Sequence, residues 1–375
     1  MMEKLKVGFI GCGVIFDLNI LGYLNRDDIE INCLCDKKQR YAKNKISKFN
    51  LSPEVRIYTD YKEMLDSESI DILEILIPHH KHCEATLYAA QKDILGISVQ
   101  KPMANSIKEC DNMINACKRK NVKLKVFENF CFYPPIMKAK QLLKEGIIGE
   151  LNSIHIKTLE GTKGGWDIPT STWIWRLDPE TCGGGLECGS PMIFDDGFHK
   201  FWLALNLIET KIEKVYAWID RFNKLDVPAY IMWKYTPSKD SGFIVPKYGT
   251  MEYNYAPDML LPSPYYPEDE FISITGSKGN MWINQATAGD NIMSKSEVFP
   301  PIVIFKDGKI KTITDVQRDW KYSFINSTHH FIDAIKNDKE PILSGEQGKY
   351  TTQFALATLK SSMLGKEICP DDIKE

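Results

Sequence analysis

The sequence predicts an α/β domain built on a parallel sheet, followed by an α+β domain with a large, mostly antiparallel open sheet. Three observations carry this expectation. The chain has 375 residues, beyond the roughly 250–300 at which a single hydrophobic core stops growing, so two domains are expected. Over the first 130 residues, short β-branched apolar runs alternate with longer amphipathic segments, the texture of a parallel sheet covered on both faces. After Gly149, strand-like runs follow one another with little helix between them, which implies antiparallel pairing.

In order, the first domain (1–128) reads as strands over 5–10, 29–35, 55–58, 72–77, 95–99 and 122–127, with helices over 14–25, 38–48, 81–92 and 106–119. The second (129–375) reads as strands over 151–159, 212–221, 228–235, 270–275, 280–283 and 302–314. One very apolar helix is expected over 190–207, and two more over 322–336 and 346–364, the last two packing back on the first domain. The stretch 236–268, rich in Pro, Tyr, Asp and Gly, reads as a long loop or irregular excursion.

The first strand runs into Gly11-Cys-Gly13-Val14-Ile15-Phe16. Gly11 permits the tight turn, Gly13 lets a pyrophosphate approach the backbone, and the N–H groups at Val14 and Ile15 open the next helix toward the negative charge. Phe16 stands where a third glycine often sits. The second strand ends in Asp36, at the spacing where a carboxylate accepts hydrogen bonds from a ribose diol and repels a 2′-phosphate. The strand–glycine loop–helix–strand–Asp order therefore predicts a Rossmann domain binding NAD in preference to NADP. Lys37, next to Asp36, joins the candidate cofactor contacts and, with Lys38 and Arg40, softens that preference.

Net charge is -3, which offers no basic field for nucleic acid or an anionic membrane. No apolar stretch approaches the ~20 residues of a membrane span. The apolar N-terminal run carries glycines at meaningful spacing and no small-residue cleavage site, so it is read as a strand and not as a signal peptide. The ten cysteines form no C-x-x-C and several fall in runs that read as core, the pattern of a reduced, cytoplasmic protein.

The fourth strand runs into Pro78-His79-His80-Lys81-His82 and the fifth into Gln100-Lys101-Pro102. With the glycine loop, Gly183-Gly-Gly185, Asp195-x-Gly197-x-His199 and Gly276-Ser-Lys-Gly279, these resemble the Gfo/Idh/MocA oxidoreductases, the family of glucose–fructose oxidoreductase and inositol dehydrogenase. The resemblance spans nearly the whole chain. It implies a Rossmann domain holding a nicotinamide cofactor, an open sheet walling the substrate pocket and often forming the oligomer interface, and sugars, inositols or related polyols as substrates. The family's E-K-P is Q-K-P here. That form, with Glu128-Asn129-Phe130 and the Asp195–Lys200 run, looks most like branches that oxidise a ring hydroxyl of a glycoside, often at carbon three.

Oxidising a secondary alcohol requires a base within hydrogen-bond reach of the hydroxyl proton. His199 is the candidate base; Asp195, four residues earlier on an apolar helix, is placed to orient it or to bind a substrate hydroxyl. Lys101, at the carboxyl end of a parallel strand, is placed to stabilise developing alkoxide charge. Gln100 is expected to hold the ammonium form less firmly than a glutamate would, so that Lys101 shares the proton relay. Pro78, His79, His82, Gln100, Lys101 and Asn129 complete the candidate cofactor contacts. A metal at His79, His80 and His82, with Cys83 and Glu84 adjacent, is the weaker reading, and no metal is predicted. Trp175 and Arg176 suit a sugar, one with a flat face and the other with a charged fork; packing of the tryptophans against the sheet is the alternative.

Three function classes follow: an NAD-dependent dehydrogenase of a sugar, inositol or glycoside; a glycosidase that uses bound NAD transiently; and a non-catalytic sensor. Retention of Lys101, Asp195 and His199 argues against the sensor. A homo-oligomer, dimer or tetramer, is expected by analogy.

Overall fold

The computed structural model describes residues 4–24, 26–166, 168, 170–185, 189–240, 243–284 and 299–374. Six strands, β1 (Leu5–Ile10), β2 (Ile29–Cys35), β3 (Arg56–Tyr58), β4 (Ile72–Ile75), β5 (Gly96–Gln100) and β6 (Lys123–Phe127), form one sheet in the order β3-β2-β1-β4-β5-β6. Every pair in it is parallel. Strand order reverses between β1 and β4, and doubly wound sheets bind their ligands in the crevice beyond the strand ends at such a point.

The helix expected over 14–25 is two abutting turns, Phe16–Asn19 and Leu21–Leu24. Phe16 is fully buried, its ring centroid 4.9 Å from that of Phe9 on β1 and 6.1 Å from that of Phe49. A phenyl ring therefore fills the space that a third glycine would have closed.

The second sheet holds eight strands in the order β16-β15-β14-β13-β7-β12-β9-β8. These are β7 (Leu151–Lys163), β8 (Ile212–Ile219), β9 (Ala229–Tyr235), β12 (Tyr248–Leu260), β13 (Glu268–Gly276), β14 (Gly279–Asn284), β15 (Ile302–Lys306) and β16 (Lys309–Ile313); among the described residues β10 (Ser238–Asp240) and β11 (Phe243–Val245) pair with each other. All neighbours in the large sheet are antiparallel except β7 and β12.

Two expectations fail here. The stretch 236–268 is not an irregular excursion, since it contains the thirteen-residue β12. Its Gly249, Pro257 and Asp258 read as loop, yet Met251 and Tyr253 alternate into the core. Gly249 is required because the Trp233 ring lies across it, and a Cβ there would come within 2.1 Å of that ring. The single strand expected over 302–314 is the hairpin β15–β16, turned at Asp307 and Gly308, both at positive φ.

One face of this sheet packs against helices Gly197–Ile208 and Gly345–Leu364, where Phe354 meets Phe201 at 4.6 Å and Trp233 at 5.4 Å between ring centroids. Burying each such side chain contributes ~1.5–3 kcal/mol. On the opposite face Trp218, Tyr230, Met232, Tyr248 and Phe305 are exposed. Helix Lys321–Lys336 lies against the first sheet: Phe331 and Ile332 share a core with Val7, Phe9 and Ile72, and the buried Lys125 on β6 donates to the Ser327 carbonyl and hydroxyl at 2.7 Å. Among the described residues no helix is long and apolar enough to cross a membrane.

Candidate functional site

At the end of β1, Gly11 has φ 99°, and a Cβ there would meet the Leu76 carbonyl oxygen at 2.3 Å. Any side chain would break this turn, which β4's end closes. Gly13 differs: a Cβ there would meet nothing within 4 Å, so open space lies above the loop. That space, with Val14 and Ile15 behind it, is what a pyrophosphate needs. Asp36 fixes the loop, accepting from Cys12 N at 2.9 Å and, beside Lys37, from Lys38 N at 2.8 Å. Its carboxylate therefore stands at the rim of the glycine loop.

Beyond β5 the Lys101–Pro102 bond is cis. Lys101 Nζ donates to Asp195 Oδ1 at 2.6 Å and to the Asp195 carbonyl at 2.9 Å. Gln100 turns away and donates to Asn19 Oδ1 at 3.2 Å. The countercharge for Lys101 thus comes from Asp195 and not from residue 100.

Asp195 is buried, with three basic side chains around it. Arg176 Nε donates to Oδ2 at 2.5 Å, and His79 Nε2 lies 3.5 Å from Oδ1. Burial favours its neutral form, but Lys101, Arg176 and His79 outweigh that and hold the carboxyl well below the usual range. Trp175 supports the group, with the Arg176 guanidinium 4.4 Å over its ring and the His79 ring edge-on at 4.7 Å. His79 Nδ1 also meets the Cys182 carbonyl at 2.8 Å.

The expected Asp195–His199 pair does not form. Residues Pro191–Asp196 are a π-helix, with Asp195 N bonded to the Ser190 carbonyl five residues back, and the α-helix begins only at Gly197. The wider turn removes the α-helical phase that spacing arguments assume, and such turns recur at functional sites. Buried Asp226 holds its start, accepting from Met192 N and Ile193 N at 2.9 Å. The i,i+4 pair that does form lies one residue on, between Asp196 and Lys200.

His199 finds a different carboxylate. Its Nδ1 lies 2.8 Å from Glu128 Oε1, and its ring lies over Phe130 at 4.4 Å. Burial and the nearby Lys101 charge lower its pKa, with Glu128 opposing them, so the imidazole is neutral at pH 7. Glu128 is fully buried and also accepts from Phe130 N and Cys131 N at 2.8 and 3.0 Å. In the sequence Glu128 stood out only as part of the Glu128-Asn129-Phe130 run.

The remaining predicted contacts lie around this centre. Pro78 precedes His79 at the end of β4. His82 is buried, with Nε2 at 2.8 Å from the Ile77 carbonyl and Nδ1 at 3.0 Å from the Pro102 carbonyl. Burial lowers its pKa to about 3, so the ring is neutral and donates to one of these two carbonyls. Asn129 donates to Ser323 Oγ at 2.9 Å, tying the end of β6 to the helix Lys321–Lys336. Among the described cysteines all are free and all but Cys369 are buried; Cys188 lies outside the described residues.

Residues 5–128 match the family model described as an oxidoreductase family with an NAD-binding Rossmann fold, and residues 140–369 match that family's C-terminal alpha/beta domain. The chain belongs to the Gfo/Idh/MocA oxidoreductases. As a member of that family it is similar to an alpha-N-acetylgalactosaminidase of Tannerella forsythia, 28% identical over 39% of this chain and 33% of that protein. It is similar also to a D-apiose dehydrogenase of Paraburkholderia graminis, 30% identical over 40% of this chain and 38% of that one. The matches span less than half the length of these curated relatives. A crystal structure of an oxidoreductase from Agrobacterium radiobacter in complex with NAD+, L-tartaric acid and magnesium shares the fold, with TM-score 0.79 and 19% identity over 98% of this chain and 99% of that one.

Proposed function

We propose that this Gfo/Idh/MocA protein oxidises or reduces a secondary ring hydroxyl of a sugar, inositol or glycoside, with residues 1–128 holding NAD and 129–375 holding the substrate. The observation that carries this reading is the neutral His199, oriented by a buried carboxylate, beside the ion-paired Lys101–Asp195–Arg176 group. Bound NAD supplies the hydride acceptor for the oxidation. His199 Nε2 takes the hydroxyl proton. Lys101 donates to the reacting oxygen and stabilises charge developing there. Asp195 holds Lys101 and Arg176 at the site. Arg176 and the Trp175 face meet neighbouring hydroxyls and ring C–H groups. Similarity to a D-apiose dehydrogenase supports a carbohydrate substrate. Similarity to an alpha-N-acetylgalactosaminidase supports a second reading, in which transient oxidation leads to cleavage of a glycosidic bond.

Asp36 underlies the preference for NAD. Its carboxylate at the rim of the glycine loop accepts from a ribose diol and repels a 2′-phosphate. Hydrogen bonds to charged groups contribute ~1.5–3 kcal/mol. Asp36→Ala is therefore expected to raise the NAD dissociation constant about 10- to 100-fold and to erase discrimination against NADP. Titration of both nucleotides by protein fluorescence checks this; unchanged NAD affinity would remove Asp36 from the site.

The exposed face of the large sheet is the proposed contact between copies of the chain. Trp218 pairs across strands with Tyr230, and Tyr216 with Met232, an apolar strip of the kind that marks interfaces. A dimer or tetramer is expected by light scattering, and Trp218→Asp with Met232→Asp is expected to yield monomers. A wild-type monomer at micromolar concentration would refute the assignment.

A further inference from the structure

The mechanism needs more than an imidazole: it needs the proton on the right nitrogen. A neutral histidine carries one N–H, and only the other nitrogen can act as a base. We infer that Glu128 is the positioning residue that puts this proton on Nδ1 of His199 and leaves Nε2 free to take the substrate's proton. This rests on the reading of His199 as the base, but its test does not depend on turnover.

The geometry fixes the direction of the bond. Glu128 already accepts two backbone N–H groups, from Phe130 at 2.8 Å to Oε1 and from Cys131 at 3.0 Å to Oε2. A carboxylate so placed is an acceptor on both oxygens, so His199 Nδ1, 2.8 Å from Oε1, is the donor. Nothing about this carboxylate is loose. Its main chain is held too, because Ser327 Oγ donates to the Glu128 carbonyl at 2.9 Å and the next residue, Asn129, donates to Ser323. Phe130, the residue whose N–H Glu128 accepts, also supplies the ring against His199. One short segment, Glu128–Cys131, therefore sets the tautomer, the ring plane and the depth of the base.

The other charges near His199 do not set the tautomer. Lys101 disfavours its protonation and Asp196 favours it, and neither is hydrogen-bonded to Nδ1. Asp195, the carboxylate that the sequence spacing offers, is held by Lys101, Arg176 and His79. Replacing the carboxylate by an amide of the same shape exposes its role. In Glu128→Gln either placement of the NH₂ meets a backbone donor, because Oε1 accepts from Phe130 N and Oε2 from Cys131 N. With the NH₂ at the Oε1 place it donates to Nδ1 and pushes the proton to Nε2; with the oxygen there the bond to Nδ1–H survives, but without the negative charge behind it.

The test is long-range ¹H–¹⁵N NMR on histidine-labelled full-length protein, with the His199 signals assigned by their loss in His199→Gln. Wild-type His199 is expected to be neutral at pH 7.5 with its proton on Nδ1. In Glu128→Gln the Nδ1–H form is expected to lose its dominance, and the ring is expected to protonate at lower pH than in wild type, because the supporting negative charge is gone. Glu128→Asp, which keeps the carboxylate, is expected to retain the Nδ1–H form. A wild-type ring protonated on Nε2 overturns the inference without any variant, and so does a Glu128→Gln ring with unchanged tautomer and titration. Should Glu128→Gln not fold, the wild-type tautomer and Glu128→Asp decide. If the tautomers come out as expected but no polyol is turned over, the inference about Glu128 stands and the proposed reaction fails.

Discussion

His199→Gln is expected to lower kcat on the responsive substrate by about 10²- to 10⁴-fold while leaving NAD affinity unchanged. Glutamine keeps a polar side chain near Glu128 but cannot accept a proton at neutral pH. The ring is buried against Phe130 at the end of β6 and forms no part of the glycine loop, so the cofactor site is left intact. Wild-type kcat/KM has a predicted acid limb. Burial and Lys101 lower the histidine's pKa, so the base stays neutral as pH falls through 7. Activity then declines only below the ordinary histidine value. Steady-state kinetics from pH 4.5 to 9 on wild type and variant check both statements. A limb at or above pH 7, or a variant with wild-type kcat, would take His199 out of the chemistry.

Lys200→Met is expected to destabilise the fold by about 3–5 kcal/mol at pH 8, the usual loss when one partner of a buried ion pair is removed. Lys200 is fully buried, paired with Asp196, with Glu268 at 2.5 Å and with Glu270 at 3.2 Å. Tyr253 adds a hydrogen bond to Asp196 at 2.8 Å. Without the ammonium, the buried Glu268 and Glu270 and the partly exposed Asp196 face one another without a countercharge. Burial already raises the pKa values of Glu268 and Glu270 even with Lys200 present, and its loss raises them further. An acid whose folded pKa lies above its unfolded value binds its proton more tightly when folded. Its contribution to stability is present below the unfolded pKa and is lost as pH rises through the folded one. The deficit of Lys200→Met is therefore expected to shrink as pH is lowered from 8 toward 5. Urea unfolding at both pH values measures it, and a deficit independent of pH would contradict the account.

The glycine-loop half of the candidate site was legible because its signals are local. Gly11, Gly13 and Asp36 act through backbone freedom and spacing along one strand–turn–helix–strand unit, and the structure joins Asp36 to the loop through Cys12 N. The strands of the first sheet were legible for the same reason, since apolar runs buried on both faces carry their own pattern. The half of the candidate site around His199 was misread at one point. Spacing places Asp195 and His199 on one helical face only if the segment is α-helical, and periodicity does not reveal a π turn held by Asp226, 34 residues beyond Met192 in the chain. The real partner, Glu128, comes from the end of β6, and only the fold brings it within 2.8 Å of His199. Strand β12 escaped because Gly249, Pro257 and Asp258 are ordinary loop residues. Its place between β7 and β9 depends on Trp233 covering the glycine.

The central claim, redox chemistry on a carbohydrate hydroxyl, is tested most directly by incubating the purified protein with NAD and a panel of free sugars, inositols and glycosides. NADH absorbance and product masses are followed, with Lys101→Ala and His199→Gln run alongside. The account predicts NADH together with a product two mass units lighter than one member of the panel, both lost in the two variants. Glycoside cleavage without NADH accumulation would favour the transient-oxidation reading. Tight NAD binding with no product from any polyol, or turnover that survives both substitutions, would contradict it.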